Sequence, residues 1–82
     1  MKIQELDNLD AAIECIAREQ LGIVRSIGAV NGNVMVAVDR QLNAHHDFVV
    51  WTYDHYTDSF IWGHYFESGN AAEAYLDERL KG

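Results

Sequence analysis

Eighty-two residues confine this chain to one small domain, residues 1–82, in which only a little over ~60% of the unfolded surface can be buried and every core side chain counts. With 49% hydrophobic residues, nine aromatics among them, and no proline, the composition excludes a disordered or low-complexity chain. Thirteen acidic against six basic residues leave a net charge of −7, which repels nucleic acid and anionic membrane and steers the chain towards basic surfaces.

Leu9, Ala12, Ile13, Ile16, Ala17 and then Gln20 or Leu21 follow the i, i+3, i+4, i+7 stripe of an amphipathic helix. Asn8 is the candidate N-cap, and Gly22 suits the left-handed residue that closes a helix. Two β-rich runs, 23–30 and 33–39, flank Asn31-Gly32, a type I′ hairpin signal because both central positions need positive φ. With a two-residue loop, Ile23, Ile27, Ala29, Val34, Val36 and Val38 share one face and predict the core. Val24, Ser26, Gly28, Met35 and Ala37 share the other, smaller face.

Residues 40–47 read as a connecting loop. A second hairpin joins 48–54 to 59–67 through His55-Tyr56-Thr57-Asp58. A four-residue loop sets Trp51 opposite Trp62, Tyr53 opposite Phe60 and Val49 opposite His64, leaving Phe48, Val50, Thr52, Ile61 and Tyr65 on the second face. Residues 71–80 predict a closing helix with Ala72, Tyr75, Leu76 and Leu80 inward, started by Asn70 with Glu73 three residues on. The expected fold is α+β: a four-stranded antiparallel sheet of two hairpins with N- and C-terminal helices, in the order α-β-β-β-β-α.

Chemistry is sparse. Cys15 is the sole cysteine, mid-helix and beside the apolar stripe, so it reads as a structural thiol. His45, His46, His55 and His64 lack metal-ligand spacing; a weak divalent site at the second turn, with Asp54 and Asp58, is the most that spacing permits. No carboxylate pair has a reason to be desolvated, and no phosphate-cradling loop is present. The expectation is a chain that is not an enzyme, with no cofactor, no metal and no catalytic residue. Without an apolar run near the ~20 residues of a membrane span, the expected location is the cytoplasm.

Two features point to adhesion instead. Aromatic residues crowd the second hairpin, and two short helices cannot hide both its faces; Trp51, Tyr53, Tyr56 and Trp62 are the candidate contacts. The bases needed to bind nucleic acid beside such rings are missing. The second feature is a set of acids, Asp7, Asp10 and Glu14 on the first helix and Glu73, Asp77 and Glu78 on the last. Were the helices side by side, these would merge into one negative face able to imitate a phosphate backbone. The plainer alternative is a solvated, solubilising surface.

The run Phe48-Val49-Val50-Trp51-Thr52-Tyr53, with Phe60-Ile61-Trp62-Gly63-His64-Tyr65-Phe66 and the helix Ala71-Ala72-Glu73-Ala74-Tyr75-Leu76-Asp77-Glu78-Arg79, resembles a family of small proteins from phages and bacterial mobile elements. In size and charge the chain is also similar to phage-encoded inhibitors of bacterial defence, including anti-CRISPR proteins. That resemblance implies an inhibitor occupying the basic, nucleic-acid-binding surface of a host protein, without direct contact to nucleic acid or membrane. The alternative is a structural subunit, such as a homodimer that buries its aromatic face against a copy of itself.

Overall fold

The computed structural model describes residues 3–42 and 47–81; within 3–7 the backbone alone is described. Helix α1 (Ile3–Glu19) leads into strands β1 (Ile23–Val30), β2 (Asn33–Asp39), β3 (Phe48–Asp54) and β4 (Ser59–Phe66), and helix α2 (Gly69–Lys81) follows. The strands form one antiparallel sheet in the order β1-β2-β3-β4. This is the expected α-β-β-β-β-α fold.

The end of α1 and the start of α2 each carry a hydrogen-bonded cap, though not where the spacing put it. Asn8 lies inside α1, not at its start. At the other end Gln20, not Gly22, takes the left-handed position with φ 54°. Gln20 N–H donates to the Ala17 carbonyl (3.3 Å) and Leu21 N–H to the Ile16 carbonyl (3.0 Å), the bond pair of a Schellman stop. Leu21 then packs against Ile16. Helix α2 begins two residues before the expected 71: Ser68, not Asn70, caps it by accepting the Ala71 N–H at 3.2 Å.

The first hairpin turns as expected, with Asn31 and Gly32 at φ 51° and 82°. Its core face needs correction at one end. Arg25 is an extra residue between the pairs Val24↔Val38 and Ser26↔Ala37, a β-bulge that flips everything before it. Val24, not Ile23, therefore joins the core; Ile23 is 53% exposed. Arg25 turns to the other side, where it bonds Glu73 of α2 at 3.0 Å and lies over the Phe48 ring.

The smaller face is equally a core. Met35, Ala37 and Val50 pack under Ala72 and Leu76 of α2, with Phe48, Phe66 and Tyr75 around them. Val34, Val36, Val38, Val49 and Tyr53 pack on the opposite side under Ala12, Cys15 and Ile16 of α1. The helices therefore lie on opposite faces of the sheet, not side by side. Leu76, Val36 and Val50 are wholly enclosed, each worth about 1.5–3 kcal/mol relative to exposure. Leu80 of α2 sits where a side chain at Gly28 would collide with it, so that glycine lets helix and strand approach.

The second hairpin has the expected four-residue turn, with Asp54↔Ser59 and Tyr53↔Phe60 paired. Beyond Thr52↔Ile61, Trp62 and Gly63 together face Trp51, so Val50 pairs with His64 and Val49 with Tyr65. This second bulge exchanges His64 and Tyr65 between the faces expected for them. Trp62 itself stands at φ 53°, a region that costs a bulky residue about 1–3 kcal/mol.

One polar atom is left out of these arrangements: Ser26 Oγ is buried without a hydrogen-bond partner among the described residues. Ser26→Ala is expected to raise stability by up to about 1 kcal/mol, since an unmet buried hydroxyl is a net cost. Ser68→Ala should lower it by about 1 kcal/mol through loss of the cap. Urea denaturation reads both, and a loss at Ser26 would contradict the orphaned-hydroxyl account.

Candidate functional site

Helix α1 rests mainly on β1 and β2, so on its side of the sheet β4 and the neighbouring Trp51 of β3 are left partly open. Three rings line up there. Phe60 stacks on Trp51 with centroids 5.3 Å apart and planes at 28°. Trp51 spreads over Gly63, where an added side chain would meet its indole and the Tyr65 ring. Tyr65, 49% exposed, continues the strip, with the Arg40 guanidinium 5.3 Å above its ring. Between the strip and α1 lies a groove of about 270 Å³, walled by Cys15, Glu19, Leu21, Trp51, Asp58 and Phe60.

A clasp fixes one end of this groove. The β3–β4 turn is tied internally, with Asp54 accepting from the Tyr56 N–H and the Thr57 hydroxyl at 3.0 Å each. Its last residue, Asp58, has φ 52°. The Asp58 carboxylate accepts from the Tyr53 hydroxyl at 2.5 Å and from Arg18 at 2.6 Å, while its carbonyl faces Cys15 Sγ at 3.6 Å. Helix and turn are thereby joined across 40 residues of chain.

The electrostatics follow from these contacts. The Tyr53 hydrogen bond, reinforced by Arg18, holds the Asp58 carboxyl below its ordinary range. Burial first, then the bond to Asp58 and its charge, push the Tyr53 phenol from 10.0 up to about 12. Burial and then the Asp58 charge push the Cys15 thiol up. At neutral pH both groups stay protonated, so neither is activated as a nucleophile or base.

The residues singled out by sequence are divided, not gathered. Trp51 is half-buried in the strip. Tyr53 is enclosed as the clasp's donor, and Tyr56 stands at the turn tip, 88% exposed, with its ring tilted against His55. Trp62 faces the α2 side, 69% exposed. Asp10 and Glu14 are exposed on α1, while Asp77 and Glu78 are exposed on α2, across the sheet; Glu73 is half-buried against Arg25. Of Asp7 the backbone alone is described. The merged negative face conditional on adjacent helices is therefore not formed.

Phe60, Tyr65, Leu21 and the Arg18–Asp58 pair are site members that sequence reasoning missed. Gly63 inside a strand was the available signal for the bulge that brings Tyr65 round. His64 lies against Tyr75, centroids 4.9 Å apart; His45 and His46 lie outside the described residues. Among the described residues no group of three or more His, Cys, Asp or Glu is placed to hold a metal ion, and no helix is long and apolar enough to cross a membrane.

Comparison with family models, curated proteins and solved structures finds no match to this chain.

The clasp sets the pH response. Asp58 titrates lower when folded, so its contribution is whole above the unfolded carboxyl value of about 4 and fades as pH falls through the folded one. Tyr53 titrates higher when folded, so its contribution is whole below 10 and fades as pH rises towards about 12. Asp58→Asn should flatten the acid limb of the stability profile and Tyr53→Phe the alkaline limb. Denaturation midpoints across pH test this, and unchanged limbs in both variants would contradict the clasp.

Proposed function

We propose that this chain is a protein-binding module whose docking surface is the open α1-side strip of Phe60, Trp51 and Tyr65. The observation that carries the proposal is this contiguous row of rings beside a shaped groove, Tyr65 exposed and Trp51 and Phe60 half-buried, because contiguous aromatic surface open to solvent supplies the desolvated centre of a protein interface. The strip is long and open rather than enclosed, which suits a macromolecular partner better than a small metabolite.

The charges around the strip select the partner's sign. Asp10, Glu14 and Arg18 follow one i, i+4 row along α1, and Arg18 reaches the groove through Asp58. Arg18 is spent on that pair and Arg40 lies on Tyr65, so the acids of α1 and the net charge of −7 favour a basic surface. The resemblance of the second hairpin and last helix to small mobile-element proteins extends the proposal: the partner is a host defence protein, and the docked chain blocks its nucleic-acid-binding surface, as anti-CRISPR inhibitors do. Only the α1 acids share a side with the strip, so the imitation of phosphates falls to them and not to both helices.

The second reading, a subunit that buries the strip against its own copy, draws on the same exposed rings. Its usual alternative route, strand pairing at a sheet edge, is opposed by the bulges in both edge strands.

Immobilised chain is expected to retain a basic protein from a bacterial lysate. Tyr65→Asp and, separately, Asp10→Lys with Glu14→Lys should each weaken retention by about ten-fold or more, the scale of losing an interface hot spot or its charge complementarity. Circular dichroism checks that both variants fold. Retention unaffected by either change would refute the strip as the docking surface. A stable dimer in light scattering that Tyr65→Asp dissociates would replace it with the self-association reading.

A further inference from the structure

The α2 side of the sheet holds a second hollow, separate from the strip. It lies between α2 and β4 beside the β1–β2 turn and measures about 190 Å³. Met35 and Thr52 form its floor, Trp62 and His64 come from β4, and Tyr75 and Arg79 from α2. His64 and Tyr75 lie against each other as one aromatic wall.

Three of these residues set the chemistry of the hollow. Thr52 is only 5% exposed and borders the hollow. Arg79 is the one arginine among the described residues without an ion pair or ring contact: Arg18 holds Asp58, Arg25 holds Glu73 and Arg40 covers Tyr65. Trp62 is held in a left-handed bulge, 69% exposed, with no ring partner among the described residues. Bulges re-aim side chains beside binding sites, and backbone held in a sparsely populated region marks such positions.

We propose that this hollow binds a small planar aromatic molecule bearing an anionic group. The ring packs between Trp62 and the His64–Tyr75 wall over Met35, the anion accepts from the Arg79 guanidinium, and the Thr52 hydroxyl bonds a polar atom on the buried edge. Arginine's planar fork matches a carboxylate or a phosphate oxygen pair, and aromatic walls favour a flat ring. The volume lies below the roughly 300 Å³ at which pockets accept drug-sized ligands, so a monocyclic anion fits and a whole nucleotide does not. The surrounding negative charge is screened beyond about 8 Å at physiological ionic strength, leaving the guanidinium dominant at contact.

The test is an ¹H–¹⁵N NMR titration of the full chain at fixed ionic strength with phenylacetate and with phenyl phosphate. Benzyl alcohol serves as the probe without charge and acetate as the probe without a ring. Saturable shifts at the Trp62 indole N–H and the Thr52 and Arg79 amides are expected with the ring anions. Whichever of the two binds more tightly identifies the anion as carboxylate or phosphate. Benzyl alcohol and acetate should bind about ten-fold more weakly or less, as should the ring anions to Arg79→Gln, the scale of one charge-assisted hydrogen bond. Trp62→Gly relieves the bulge, so it should fold and still lose binding. Shifts that do not saturate, equal binding of benzyl alcohol, or undiminished binding to Arg79→Gln would each overturn the proposal.

Discussion

Burial of the two middle strands on both faces is the constraint from which the other features follow. Five consecutive residues of β2, Val34 to Val38, are buried, and Val49, Val50, Thr52 and Tyr53 of β3 join them. Alternate residues of a strand point to opposite faces, so burial without interruption demands a cover on each side. One helix serves each. A helix is about 10 Å wide with side chains, while four strands spaced ~4.8 Å apart place their outer axes about 14 Å apart. One helix per face cannot cover the whole sheet, and β4 is the strand left most open.

That remainder defines the character of the molecule. β4 alternates rings to two sides, and the bulge at Trp62 and Gly63 decides which ring goes where. Tyr65 joins Trp51 and Phe60 on the α1 side, while Trp62 and His64 face the α2 side. The same bulge, with its counterpart at Arg25, interrupts both edges of the sheet, which discourages edge-to-edge pairing. Rings on open faces and guarded edges suit a surface that takes a partner by its side chains. The clasp around Asp58 holds α1 and the second turn in register, so the groove beside the strip keeps its shape before anything docks.

The fold was legible in the sequence because its signals are local. Asn31-Gly32 has one good turn to make, the i, i+4 stripe of α1 has one face to bury, and the four-residue second turn followed from the runs beside it. The face assignments were legible only as far as strict alternation held. Each bulge adds one residue, and from there onward every side chain changes sides: Val24 and Arg25 in the first hairpin, His64 and Tyr65 in the second. Which side each helix covers was not legible either, since Met35, Ala37 and Val50 are small enough to be read as a half-committed surface. For the same reason the acids looked capable of merging, and Trp62, Glu73, Asp77 and Glu78 proved to lie on the far side. The Arg18–Asp58–Tyr53 clasp joins residues far apart in sequence, and nothing in local spacing announces it.

β4 is the least covered strand of a sheet whose middle is sealed. Relaxation of proton signals by a soluble, uncharged gadolinium chelate measures this directly. Strong relaxation is expected at the rings of Trp62 and Tyr65, and little at the Tyr53 ring or the methyls of Val36, Val38, Val49 and Val50. Equal protection of the Trp62 and Tyr65 rings, at dilutions where the chain is a monomer, would mean that the helices cover the fourth strand and would contradict the account.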